Sequence, residues 1–185
     1  MAAAGSLLGL SMPQKSSFPV GKVDFLDLNP MSFLEFLYAL GKQKLADLIL
    51  KKSWTIIDVF HEDLINYLKT YYYIGGMPEV VQSYIDNKNL EDVRLIQERI
   101  LNAYEADFSK HAPLGLVPRI RMVWQSIPFQ LAKENKKFVY GAIRKGARAK
   151  DFELAIQWLV DAGVLLKVNR ISKPELPIKA FRDAN

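Results

Sequence analysis

The sequence predicts a mainly α-helical fold, with a helical bundle followed by a winged-helix-like domain that carries a small β-hairpin. Three observations favour this fold class. Apolar residues recur at helical spacing, glycine and proline separate the periodic segments, and a stretch rich in β-formers follows the last helix. With 185 residues, half of them hydrophobic, the chain can bury a core of its own. We expect a connecting segment at 1–27, the bundle at 28–112 and the winged-helix-like domain at 113–185.

Start and stop signals predict the elements of the bundle in order. A short strand is expected at 23–28, where apolar residues cluster before Asn29-Pro30. Ser32 and Glu35 have the spacing of a capping box that opens a first helix, and Gly41 ends that helix. Apolar periodicity predicts further helices at about 43–52, 59–71 and 78–85, and a long one that begins at Asn89 or Asp92 and ends at about Phe108.

Two adjacent glycines, Gly75 and Gly76, separate the third predicted helix from the fourth. Pro78 follows them and suits the first turn of a helix, because its missing N–H has no helical partner there. A pair of glycines predicts a tight turn that a side chain could not adopt without strain.

The second domain is predicted beyond a linker at 111–118, where we place the domain boundary. Helices are expected at 119–133, kinked by Pro128, at 138–145 and at 150–162, with Gly163 as a left-handed helix end. The β-formers of 164–171 predict a strand, 173–177 a turn, and 178–181 the start of a return strand. Three helices followed by a hairpin is the order of a winged-helix domain.

Several function classes are excluded by what the sequence lacks. There is no cysteine, hence no disulfide framework, thiolate zinc site or cysteine nucleophile, and the reducing cytoplasm is the expected location. No stretch approaches the roughly 20 apolar residues of a membrane span, so no membrane partner is expected. No G-x-x-x-x-G-K-[ST] motif is present. His61 and His111 lack the partner spacing of a metal site. We therefore predict no catalytic residue, metal or cofactor in this chain.

Positive charge is concentrated in the C-terminal part. Residues 1–112 hold 11 Lys/Arg against 14 Asp/Glu, whereas 113–185 hold 14 against 6. Seven cations, opposed only by Glu134, form what we call the basic segment: Lys133, Lys136, Lys137, Arg144, Lys145, Arg148 and Lys150.

The basic segment has two interpretations, a site for a nucleic-acid backbone or an ordinary solvated face. In a winged-helix domain the third helix would enter the major groove. Here that helix is expected to bury Phe152, Ala155, Ile156, Trp158 and Leu159. It would then show solvent three acids, Asp151, Glu153 and Asp161, which repel phosphate. The pattern favours docking to a protein partner, with at most weak, non-specific nucleic-acid binding.

Several segments, taken in order, resemble a large bacterial and archaeal family of AAA-type ATPases. The most specific is Gly75-Gly-Met-Pro-Glu79, within the matching stretch 73–80. The other matching segments are 5–9, 18–23, 30–36, 100–105, 126–128, 145–149 and 155–163. The resemblance implies a P-loop core preceding this region and a nuclease-like region following it.

The resemblance also implies a role for the N-terminal residues. Residues 1–27 would be a remnant of the ATPase core with its connecting strand, and Ser6 would occupy the position of the polar sensor residue near the nucleotide. ATP and Mg²⁺ are implied only for the full-length family, because both nucleotide-binding motifs are missing here. The resemblance thus predicts a non-catalytic interaction and relay part of an ATPase, whose partner is the core or another protein. A nucleic-acid-binding module that uses the basic segment is the alternative.

Overall fold

The computed structural model describes residues 26, 28–135, 137–171 and 175–177, and these are mainly helical. Their helices, in chain order, are α1 (Phe33–Ala39), α2 (Gln43–Leu50), α3 (Trp54–Val59), α4 (His61–Ile74), α5 (Pro78–Asn87), α6 (Leu90–His111), α7 (Val117–Ala132), a short 3₁₀ helix (Tyr140–Ala142) and α8 (Ala149–Asp161). In this described part, no helix is both long and apolar enough to cross a membrane. The prediction of a mainly helical fold is confirmed.

The described chain divides into two compact units between Tyr104 and Glu105, inside α6. The predicted boundaries at 27/28 and 112/113 remain predictions.

The first unit contains α1 to α5 and the larger part of α6. Its capping box forms as predicted, since the Ser32 N–H and hydroxyl both donate to Glu35 Oε2 at 2.7 Å and the Glu35 N–H donates to Ser32 Oγ. One apolar cluster is built from α1, α4, α5 and α6 around Phe36, and a second from α1, α2 and α4 around Leu37. Because α1 contributes adjacent residues to both clusters, it joins the two parts of this core.

The turn between α4 and α5 packs directly on the backbone that precedes α1. The Met31 N–H donates to the Gly76 carbonyl at 2.7 Å, and the Tyr71 hydroxyl donates to the Met31 carbonyl at 2.7 Å. Gly75 has a φ of +78°, which a side chain rarely adopts, whereas Gly76 is buried against Met31. The two glycines are therefore needed for different reasons, one for backbone conformation and one for close approach.

The side chain of Gln97, on α6, closes the C-terminal end of α4. Its Nε2 donates to the carbonyls of Tyr73 and Ile74 at 2.9 and 3.0 Å. Carbonyls in the last turn of a helix have no partner within the helix, so this amide supplies one.

The second unit packs α7 against α8 around aromatic side chains. Phe108 lies edge-on to Trp124 and to Trp158, with ring centroids 5.2 and 5.6 Å apart. As predicted, α8 buries Phe152, Ala155, Trp158 and Leu159, while Ile156 is half-buried. Pro128 lies within α7, where its missing N–H leaves one helical hydrogen bond unmade.

Gly163 ends α8 as predicted, with a φ of +72°. The Gly163 N–H donates to the Val160 carbonyl at 2.9 Å, and the Val164 N–H donates to the Leu159 carbonyl at 3.2 Å. These two hydrogen bonds form a Schellman motif.

The predicted strand at 164–171 is wrong for the residues that the structure describes. No strand is assigned in that stretch beyond a single bridge residue, Ile171. The N–H groups of Val164 and Leu165 are turned back to the Leu159 carbonyl, and Leu166 and Val168 are 87% and 91% exposed. β-propensity reflects packing on a partner, and no described strand pairs with this stretch. Residues 178–181, the predicted return strand, lie outside the described residues.

One smaller expectation also needs correction, one helix was missed, and one strand prediction is mostly untested. The expected helix at 138–145 is only the three-residue 3₁₀ helix; Gly141 lies within the segment, and Gly146, with a φ of +79°, directly follows it. Helix α3 was not predicted. Of the strand expected at 23–28, Leu26 and Leu28 are described and have no regular structure, and the other residues lie outside the described ones.

Candidate interaction surfaces

A shallow groove lies between α2 and the first turns of α4 in the first unit. It is open to solvent and has a volume of about 600 Å³. Its apolar lining comes from Leu45, Leu48, Phe60 and Tyr67. This lining arises because the apolar stripe of α2 is wider than its contact with the core, where only Ala46 is fully buried.

Charged side chains form the rim of this groove. Three are exposed lysines, Lys42, Lys44 and Lys51, and two are carboxylates, Asp47 and Asp63. The amine of Lys42 lies 5.7 Å from the centre of the Tyr67 ring, a distance at which a cation is attracted to the ring face.

One of the two carboxylates is already engaged within the protein. The Tyr38 hydroxyl donates to Asp47 Oδ1 at 2.9 Å. This hydrogen bond raises the pKa of Tyr38, with smaller contributions from burial and from the negative charge of Asp47. Asp47 keeps its negative charge in this hydrogen bond, and the three lysines outnumber the two carboxylates of the groove.

Helix α3 adds an apolar stripe beside the groove. None of its residues is fully buried. Ile56 and Val59 of α3 and Phe60, the residue that caps its C-terminus, have the i, i+3, i+4 spacing of one helix face, and all three are exposed. Phe60 also lines the groove, so the groove and this stripe share a side chain. Clustered exposed apolar side chains mark interaction sites more often than single ones do.

The basic segment lies in the second unit. Lys137, Arg144, Lys145, Arg148 and Lys150 are exposed, and none pairs with a carboxylate in the part of the chain that the structure describes. Lys133 is half-buried, with its amine 4.5 Å from the centre of the Phe129 ring. Lys136 lies outside the described residues, as does Ser6.

A buried polar chain fixes the start of the basic segment. Gln130 is only 4% exposed, and its Oε1 accepts the Val139 N–H at 2.7 Å. Its Nε2 donates to Ser126 Oγ at 3.1 Å, and the Ser126 hydroxyl donates to the Val123 carbonyl at 2.8 Å. At the other end, the Arg148 N–H donates to Asp151 Oδ2 at 3.1 Å. The loop is thus tied to α7 and to α8.

Two carboxylates in the first turns of α8, Asp151 and Glu153, directly follow the basic segment in the chain, whereas Asp161 ends the helix. Glu153 and Asp161 are exposed, and Asp151 is half-buried. Burial, followed by the negative charge of Glu153, raises the pKa of Tyr140 within the segment. An anionic ligand of the basic segment would therefore meet repulsion from Glu153. Leu154 is also exposed on this face, which the sequence pattern did not predict.

The two histidines belong to different units. His61 begins α4 and is exposed, whereas His111 ends α6. Within the described ranges, no group of three or more His, Cys, Asp or Glu side chains is placed to hold a metal ion.

These features define a mainly helical protein whose described surface offers a lysine-rimmed apolar groove and a basic loop. The chain belongs to the family described as Domain of unknown function (DUF8612), whose model matches residues 65–184. The match includes the turn at Gly75 and Gly76 and the basic segment, while α2 and α3 precede it. No curated protein and no solved structure matches the chain.

Proposed function

We propose that the chain is a non-catalytic interaction module of an AAA-type ATPase, which relays between the nucleotide-binding core and a C-terminal region. The observation that carries this proposal is the exposed apolar stripe of Ile56, Val59 and Phe60 beside the groove. Such a stripe is costly to leave in water and gains free energy when a partner covers it. The resemblance of 73–80 and the other segments to ATPases of this type supports the core as that partner.

In this function the core, and not this module, would bind and hydrolyse ATP. The sequence contains no P-loop motif, so the backbone cradle and the lysine that hold the phosphates must come from elsewhere. ATP and Mg²⁺ would then affect this module only through the contact between the module and the core.

A binding experiment tests the proposal directly. The nucleotide-binding core would be taken from an AAA-type ATPase that carries, after its core, a segment matching 73–80. This core would be expressed separately and titrated with the present chain in a calorimeter. Val59 is 78% exposed, so Val59→Asp should leave the fold intact and weaken binding by about tenfold or more, equivalent to about 1.4 kcal/mol. Leu95→Asp is the matched control, because Leu95 is an exposed apolar residue on α6 in the same unit, 65% exposed. No binding, or an equal weakening in both variants, would overturn the proposal.

A second candidate is a nucleic-acid-binding module of the winged-helix type. It is favoured by one observation, the loop of exposed cations whose ends are tied by Gln130 and Asp151. The acidic face of α8 opposes it, and the hairpin that would form the wing has no support in the described residues. We expect non-specific duplex binding at low salt that nearly disappears at physiological ionic strength.

A gel-shift series tests this second candidate from about 50 to 200 mM salt, where phosphate contacts are most visible. Changing Lys137, Arg144 and Lys145 together to glutamine should flatten the plot of log affinity against log salt. Its negative slope should become less steep by about 0.9 for each phosphate that the variant no longer neutralises. Changing Lys42, Lys44 and Lys51 to glutamine removes the same charge from the other unit and is the control. Tight, sequence-selective binding at the upper salt concentration would favour this candidate over the interaction module.

A further inference from the structure

The shape of the groove indicates the kind of ligand that it can bind. The groove, of about 600 Å³, is open to solvent, whereas small-molecule sites are mostly concave and bury most of the ligand. Its apolar lining follows helices α2 and α4, with side chains spaced along them. Grooves of this kind bind the apolar face of an amphipathic helix, whose side chains at i, i+3, i+4 and i+7 enter the groove.

The charge of the rim indicates what flanks the apolar face of that helix. Lys42, Lys44 and Lys51 surround the apolar lining, and no described carboxylate pairs with any of the three. Asp47 and Asp63 are the competing charges in the lining, so three lysines face two carboxylates, and Asp47 is held in place by the Tyr38 hydroxyl. A partner with carboxylates beside its apolar stripe would complement the three lysines, and a basic partner would be repelled by them.

We propose that the groove between α2 and α4 binds an amphipathic helix of a partner protein, whose apolar stripe contacts Leu45, Leu48 and Phe60 and whose acidic residues face Lys42, Lys44 and Lys51. This inference rests on the proposed interaction function and adds the chemistry of the partner segment. It also places the contact outside the part of the chain that the family model matches, except at Tyr67.

Two synthetic helical peptides of about 18 residues, five turns of helix, provide the probes. Both carry leucine at i, i+3, i+4 and i+7, and one is flanked by glutamate whereas the other is flanked by lysine. Fluorescence anisotropy with the full chain should show the glutamate peptide binding about tenfold more tightly, with a preference that declines as salt screens the charges. Equal binding of the two peptides would overturn the inference.

Variants then locate the binding site. The Lys42→Gln, Lys44→Gln, Lys51→Gln triple variant changes only exposed side chains, and it should abolish the preference for the glutamate peptide. The Lys137→Gln, Arg144→Gln, Lys145→Gln variant removes the same charge from the other unit and should preserve it. Phe60→Ser should weaken both peptides, with circular dichroism verifying that the variant is folded. If both triple variants abolished the preference equally, net charge and not the groove would explain it, and the inference would fail.

The same measurements separate this inference from the proposed function. A core that binds in a Val59-dependent manner, together with peptides that bind equally, refutes the groove assignment alone. Peptides that discriminate as expected, together with a core that does not bind, refute the ATPase assignment and retain the groove.

Discussion

A side chain at Gly76 should destabilise the first unit more than one at any open glycine position. A Cβ built on Gly76 would lie 2.8 Å from the Met31 nitrogen and closer still to the Met31 oxygen. Both neighbours are backbone atoms, so no side-chain rotation can relieve the contact. Gly76→Ala must therefore displace the segment that enters α1.

The magnitude follows from the interactions that this displacement breaks. It weakens the hydrogen bonds from Met31 N–H to Gly76 and from Tyr71 to Met31, each 2.7 Å long and worth about 1 kcal/mol. Overpacking adds about 1–3 kcal/mol. The expected decrease in free energy of unfolding is then about 3–5 kcal/mol, combining the hydrogen-bond and packing contributions.

Urea unfolding followed by circular dichroism measures this decrease, and two glycines serve as comparisons. Gly115→Ala, at a position with open space around it, should be close to neutral. Gly75→Ala also meets open space but requires a φ of +78°, so it should cost about 1–3 kcal/mol through backbone strain alone. Tyr71→Phe should cost less in the Gly76→Ala background than in the wild type, because both changes disturb the same carbonyl. A Gly76→Ala protein within about 0.5 kcal/mol of wild type would refute the reasoning.

Three further predictions concern the nucleotide, the first helix and the basic segment. Calorimetric titration with Mg-ATP should show no binding by the chain alone, because it lacks the P-loop; micromolar affinity would contradict this. The Ser32 backbone hydrogen bond, and then its hydroxyl, hold the pKa of Glu35 below its ordinary value of 4.5. The ionised Glu35 therefore stabilises the fold above about pH 4.5, and this stabilisation is lost as the pH falls through the lowered pKa. The melting temperatures of the Glu35→Gln variant and the wild type should consequently converge in acid. Gln130→Leu should cost about 1 kcal/mol and speed amide exchange at Val139. Gln157→Leu, the control, removes a hydrogen bond to the exposed Asp161 and should do neither.

Helix start and stop signals in the sequence correctly predicted those features that depend on residues close together in the chain. The capping box at Ser32 and the end of α8 at Gly163 formed as expected, because each depends on residues within one or two helical turns. Helix α3 gave no such signal, since its six residues bury no complete apolar face. The stretch 164–171 gave a misleading one, because β-formers make a sheet only with a partner strand, and the described residues supply none.

The candidate surfaces were only partly predictable for a related reason. The basic segment is contiguous in sequence and could be recognised from its lysines and arginines. The groove is made by residues from α2, from Phe60 and from α4, so it exists only after the helices pack. The lysines at 42, 44 and 51 beside periodic leucines were the available signal, and they look like the solvated face of any surface helix. The role of Gly76 was likewise hidden, because the backbone that it touches is distant in sequence.

The hydrogen bonds from Gln97 have a consequence for cooperativity. One amide group serves two carbonyls at the end of α4, and it can do so only while the middle of α6 is helical and in place. Fraying of α4 from its C-terminus therefore requires that contact to break, and local unfolding of α6 exposes both carbonyls at once. Segments linked in this way open together and not independently. We therefore expect the end of α4 and the middle of α6 to open together, although Gln97 lies 23 positions after Ile74 in the chain.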